Sequence, residues 1–167
     1  MHDHRHGDPN ADKLYALIKS CRFCMMTTVE PDGSLHSRPM YSQDADEAGD
    51  LWFFTRMQSP KITEISRDQQ INLAFANPDK QDYVSVSGRA EIVRDRQKIE
   101  EKWSEPMRTW FPEGRDDPQI ALIRVHPEKG EYWDGHSSAM LHLYGYVKAA
   151  ITGESPKGGD QAKVDLR

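Results

Sequence analysis

Cysteine is nearly absent from this 167-residue chain: there are two, Cys21 and Cys24, in the string SCRFCMMTTV. Two thiols make at most one redox pair or half of a zinc site, which excludes a disulfide-built fold and a closed four-cysteine metal centre. A thioredoxin-type pair sits between a strand and a helix. This string reads instead as the entry to a β-run, where a spacing of three sends side chains to opposite faces, so buried, reduced thiols are expected. Also missing is any uninterrupted apolar stretch of about 18 residues. The N-terminus MHDHRHGDPN has no apolar run that could act as a signal peptide, so a cytoplasmic location without membrane contact is the expectation. Nor does one sign of charge dominate locally. The 22 Lys+Arg and 27 Asp+Glu are interspersed with a net charge of −5, which offers no basic stripe for a phosphate backbone and makes nucleic acid an unexpected partner. No GxGxxG, GxxxxGK[ST], HExxH or GxSxG string occurs, so dinucleotide Rossmann binding, P-loop chemistry, zinc proteolysis and nucleophile-elbow hydrolysis all lack their usual signals. His2, His4 and His6 lie in a polar leader with no scaffold to fix a metal geometry.

What is present fits one domain with one core. Residues 1–10 read as a disordered leader, 11–151 as the folded domain and 152–167, ending TGESPKGGDQAKVDLR, as a flexible tail. Leu14, Leu17 and Ile18 recur at helical spacing between Ala11 and Lys19. Arg22 to Val29, the turn EPDG and Ser34 to Ser42 predict a β-hairpin. LWFFT reads as a buried strand, and Ser59 to Arg67 as a helix with Ser59 at the N-cap and Pro60 in the first helical position. INLAFAN and YVSVSGRAEIV follow as strands, then one or two helices over Gln97 to Phe111 broken near Pro106. A last long strand or hairpin runs from Ala121 to Asp134, with PEKG as a bulge or tight turn. Some six strands, interleaved helices and no βαβ alternation predict an α+β, mainly β fold: an antiparallel barrel with peripheral helices.

Three clusters could carry chemistry. Thr55, Ser59, Pro60 and Lys61 fall between a buried strand and a helix start, where unpaired N–H groups and partial positive charge favour an anion. Lys61 opposes that electrostatic preference. Either a bound anion reverses the penalty, or the side chain points to solvent at a cost of a few tenths of a kcal/mol; the spacing leaves both open. In HSRPM, Arg38 leaves a strand beside Pro39, a residue confined to edges and bulges, so a flat heterocycle could face this backbone. An ordinary edge proline with a solvent-facing arginine is the simpler account of that string by itself. The aromatics Trp52, Phe53, Phe54, Trp103, Trp110, Phe111 and Trp133 are mostly expected in core or interface.

Taken in order, SRPM, FFT, SPK, VSVSG, WFPEGRDDP and EYWD resemble the general stress protein 26 group of FMN-binding split barrels in the pyridoxamine 5'-phosphate oxidase-like superfamily. The resemblance covers about Leu14 to Val147. It implies an antiparallel split β-barrel and a bound FMN, with FAD as an alternative. It further implies that Arg38, Pro39 and Met40 line the flavin ring, that Phe54 and Thr55 lie beside ring and ribityl chain, and that Ser59 and Lys61 hold the phosphate. Two subunits would form a homodimer with each flavin in the interface, Trp110 and Phe111 closing the pocket from the second chain. Where the wider family has a basic residue this chain has Pro60, one charge fewer. The late tryptophan and basic ending of true pyridoxamine-phosphate oxidases are not matched by Trp133 and KVDLR, so vitamin B6 oxidation is not implied. The functions implied are a flavin-dependent oxidoreductase or a non-catalytic flavin binder acting as sensor, carrier or scavenger. Haem or a deazaflavin in the same barrel is a third option, for which His36, His126, His136 and His142 are candidate axial ligands.

Overall fold

A computed structural model describes residues 8–135 and 160–167. The expected leader, the boundary at residue 151, His136 and His142 fall wholly or largely outside them. Helix α1 (Pro9–Cys21) begins where the sequence punctuates it: the Asp8 side chain accepts from the Asn10 N–H at 2.9 Å and Pro9 takes the first turn. Ala11, Leu14 and Ile18 face the core. Cys21 closes this helix, a correction to its expected place in a β-run, whereas Cys24 lies buried in β1 (Phe23–Val29); both thiols are free.

The hairpin β1–β2 (Leu35–Tyr41) closes through Gly33 at φ 86°, whose N–H donates to Glu30 O at 2.9 Å. Strand β3 (Leu51–Arg56), helix α2 (Pro60–Arg67), β4 (Gln70–Asn77) and β5 (Asp82–Val93) follow. The helical region expected as one or two helices forms two pieces, helix α3 (Arg96–Lys102) and a 3₁₀ turn (Glu105–Thr109). The break falls at Trp103 and Ser104, and Pro106 sits inside the first turn of the second piece, where its missing N–H costs nothing. Strand β6 (Ile120–Asp134) is one 15-residue element. Gly88 pairs with Pro127 and Ser87 with Lys129, so Glu128 is a bulged residue, which is the role PEKG plays. A Cβ on Gly88 would stand 2.3 Å from the His126 carbonyl oxygen, so glycine is required beside the bulge.

Residues 160–165, expected to be a loose tail, form strand β7 (Asp160–Asp165) antiparallel to β6. Val164 and Leu166 are buried, and the alternation Ala162, Val164, Leu166 is a weak strand signal within a polar composition.

The sheet runs β2-β1-β4-β5-β6-β3, every pair antiparallel, with β7 on β6. Among the described residues its edges β2 and β3 are joined only by the bridge between Ser42 and Phe53, so the sheet is not closed, as in a split barrel. One core fills the barrel around Met26, Phe53, Phe75 and Tyr132. A second lies outside it, where α3 and the 3₁₀ turn cover Trp52, Phe54, Ile120 and Leu122 with Ile99, Met107 and Phe111. No helix among the described residues is long and apolar enough to cross a membrane.

Candidate functional site

The two cores meet at the split, and a cavity of about 480 Å³ opens there, within the range of small-molecule and cofactor pockets. Strand β2 contributes Pro39, Met40 and Tyr41; β3 contributes Phe54, Thr55 and Arg56; Gln58, Ser59 and Lys61 form the wall at the start of α2. Met107, Trp110 and Phe111 close it from the 3₁₀ turn and the segment beyond, with Phe23 at the rim. The lining is mostly apolar and aromatic. Among the described residues its cationic groups are Lys61 and Arg56, and none of the described lining residues carries a carboxylate, imidazole or thiol.

Thr55 is the most informative member. It is buried, and its hydroxyl is the one buried side-chain polar atom among the described residues without a hydrogen-bond partner. Such an orphan costs about 1–3 kcal/mol, so a polar group arriving in the cavity has a partner waiting. Ser59 occupies the N-cap position of α2, but its hydroxyl caps nothing and instead accepts from Lys61 Nζ at 2.6 Å. The first turn of α2 is therefore uncapped by any side chain and carries no acidic residue. Burial, and next the Arg38 guanidinium, pull the Lys61 pKa below the ordinary lysine value, while Glu64 pulls the other way. A half-desolvated ammonium beside an uncapped helix end suits an oxyanion.

Arg38 does not line the cavity. Its guanidinium turns to Glu64, 2.7 Å from Nη2, and to the Thr28 hydroxyl. No local pattern could have paired Arg38 with a residue 26 positions away. Trp110 and Phe111, expected to close a partner's pocket, line the cavity of the chain that carries them. Arg56 fixes them there: its Nη2 donates to the Trp110 carbonyl at 3.1 Å, its Nη1 lies 3.2 Å from buried Asp117, and its guanidinium lies 5.1 Å from the Phe111 ring centroid. Trp110 stacks on Tyr41 at 5.8 Å, and Tyr41 meets Phe23 edge-on at 5.1 Å.

Phe23, Tyr41, Arg56, Gln58 and Met107 went unforeseen. Tyr41 and Arg56 directly follow expected residues at strand ends, and Phe23 stands opposite Tyr41 in the hairpin, so the register would have found it; Gln58 and Met107 carry no comparable signal. His36 pairs with Glu30 and His126 with buried Asp50, and neither borders the cavity.

Residues 9–157 match the family model described as pyridoxamine 5'-phosphate oxidase like. Protein bli-3 of Neurospora crassa is 30% identical over 157 residues, 88% of this chain and 75% of that protein. A protein described as a general stress protein 26, from Jannaschia sp. CCS1, superposes with TM-score 0.77 at 25% identity, covering 93% of this chain and 98% of its own. The general stress FMN/FAD binding protein of Xanthomonas citri does so with TM-score 0.65 at 26% identity, covering 77% and 89% respectively.

Proposed function

The chain belongs to the pyridoxamine 5'-phosphate oxidase-like family, and from that premise we propose that it is an FMN-binding general stress protein acting as a flavin-dependent oxidoreductase. The observation that carries this reading is the conjunction, on one aromatic cavity, of the partnerless Thr55 hydroxyl with Lys61 and Ser59 at the uncapped start of α2. Lys61, Ser59 and the first turn of α2 suit a terminal phosphate. Thr55 suits a ribityl or ring polar atom, and Pro39, Met40, Phe54 and Phe111 suit the faces and rim of a flat heterocycle. Bound there, the flavin supplies redox chemistry at its ring. The described lining supports binding and orienting such a ligand, with Lys61 and Ser59 at its anionic end and Thr55 beside its polar atoms. A related protein binds FMN or FAD; FMN is preferred here because the charge serves one phosphate and Pro60 leaves no second basic residue beside Lys61.

A homodimer accompanies this reading. Phe23 and Trp110 are 54% and 48% exposed at the cavity mouth. From Phe23 the apolar surface continues along the outer face of the sheet through Met25, and the same face carries Tyr83 and Trp133, cross-strand neighbours on β5 and β6. Exposure of so many large apolar groups beside a site is what a partner surface relieves. The testing experiment is the visible spectrum of the purified protein with the extracted cofactor identified, followed by turnover with a reduced nicotinamide and an acceptor. Flavin bands and FMN are expected; a colourless protein that takes up no FMN ends the reading. Sedimentation should give a dimer, and a flavin-loaded monomer would refute the interface.

A further inference from the structure

Helix α2 has eight residues and only two buried side chains, Ile65 and Glu64. Ile65 packs into the barrel core, an apolar contact that is non-directional by nature. Direction comes from Glu64. Its carboxylate, with the side chain 7% exposed, accepts from Arg38 Nη2 of β2 at 2.7 Å and from the Thr28 hydroxyl of β1, and Thr28 in turn accepts from Arg38 Nη1. Thr28 is wholly buried. The three groups form a closed ring of charge-assisted hydrogen bonds joining helix and hairpin, one turn beyond Lys61.

We infer that Glu64, which does not line the cavity, is a positioning residue for the anion clamp: it seats α2 on β1 and β2 and turns the Arg38 guanidinium aside, so that Lys61 is the cation presented to a phosphate. The inference rests on the flavin reading for the identity of the ligand. The surrounding charges make it testable. Arg38 opposes the Lys61 ammonium and Glu64 supports it, while His36 and Glu30 of the hairpin also lie within 4.8 Å of the Glu64 carboxylate and pair with each other at 3.0 Å. Burial pushes the Glu64 carboxyl up, but the hydrogen bonds from Thr28 and Arg38 outweigh it and leave it ionised. Removing that charge leaves Arg38 acting on Lys61 without its counterweight.

The test is titration of the full-length protein with FMN and with riboflavin, by flavin fluorescence, from neutral to alkaline pH. Riboflavin shares the ring but lacks the phosphate, so the ratio of the two affinities isolates the clamp. In Glu64→Gln the FMN advantage over riboflavin is expected to fall roughly tenfold, the scale of one weakened charge-assisted hydrogen bond, and its loss with rising pH to begin at lower pH than in the parent. Glu64→Asp, which keeps the charge, should restore the parent's pH profile. Thr28→Val, which keeps both charges but opens the ring, should lower the FMN advantage without moving the profile, and it serves if Glu64→Gln does not fold. An unchanged ratio in these variants overturns the inference. So does a stronger FMN advantage in Glu64→Gln, which would make Glu64 a repelling charge only. A parent that binds neither flavin overturns the flavin reading and this inference with it; a parent that binds FMN with the ratio unmoved in the variants overturns this inference alone.

Discussion

Thr55→Val separates stability from binding, because the same atom is a burden to the empty fold and a partner to a ligand. Valine has nearly the same shape as threonine with a methyl in place of the hydroxyl. At most sites that swap loses a hydrogen bond; at Thr55 none is made, and the oxygen is buried. An unpaired buried hydroxyl costs on the order of 1–3 kcal/mol, so the ligand-free variant should gain about 1 kcal/mol, taking the low end because the residue borders an open cavity. For a chain of this length that corresponds to a rise of roughly 2–4 °C in melting temperature. A neutral hydrogen bond to a ligand is worth about 0.5–1.5 kcal/mol net, so FMN and riboflavin should both weaken by about two- to tenfold. Calorimetric melts of the flavin-stripped protein and fluorescence titrations measure the two quantities separately. A variant that melts lower than the parent, or that keeps the parent's flavin affinity, refutes the assignment of this hydroxyl as a waiting ligand partner.

Lys61→Ala removes a charge-assisted contact worth about 1.5–3 kcal/mol, so FMN should bind roughly ten- to a hundredfold more weakly and riboflavin almost unchanged. Because burial lowers the Lys61 pKa, the parent's FMN affinity should be full below that pKa and decline as pH rises through it, with titration across the alkaline range as the check. Cys24 is pushed up to about 12 by burial and Cys21 is raised for the same reason, so a thiol reagent at neutral pH should modify the native protein slowly and the unfolded protein fast; Cys21→Ser with Cys24→Ser should retain flavin. Gly88→Ala puts a methyl 2.3 Å from the His126 carbonyl oxygen at the bulge and should cost about 1–3 kcal/mol in a denaturant melt, whereas the same substitution at Gly33, open on every side but at φ 86°, strains only the turn.

The readable part of this chain lay where local chemistry decides. Ser59 and Pro60 mark the start of α2, EPDG fixes a hairpin, and LWFFT announces a buried strand, because the fixed φ of proline, turn conformation and apolar runs act over a few residues. The ligand-contacting side chains expected on β2, β3 and at the start of α2 were implied by the family resemblance rather than by local chemistry, and all of them but Arg38 border the cavity. The Arg38–Glu64 pair is not legible in the sequence because it is set by the packing of α2 against the hairpin, and Glu64 in isolation is one more charged residue on an amphipathic helix. Strand β7 was misread for a related reason. Its alternation spans three apolar residues, too few to stand out until β6 offers an edge to pair with. Cys21 went to the helix because α1 runs two residues further than its apolar spacing demanded, ending on Arg22 at positive φ.

The cavity owes its place to incomplete closure. A barrel that paired β2 with β3 along their length would have no free edge, and residues from Pro39 to Tyr41 would face another strand. Here, among the described residues, the two edges are joined at the bridge between Ser42 and Phe53, and no described strand lies on the outer side of β2, where Pro39 lacks a backbone donor. Three features of the described residues then converge on one space: a β2 edge that no described strand pairs, a buried hydroxyl without a partner, and an uncapped helix start carrying a lysine. Each alone has a bland explanation. They arise from different elements, β2, β3 and α2, and from different physical causes, so their meeting on one aromatic cavity is not something packing produces by itself. A single ligand with a flat ring, a polar chain and a terminal oxyanion answers all three at once. A purely apolar guest would answer none, and a bare phosphate only the last.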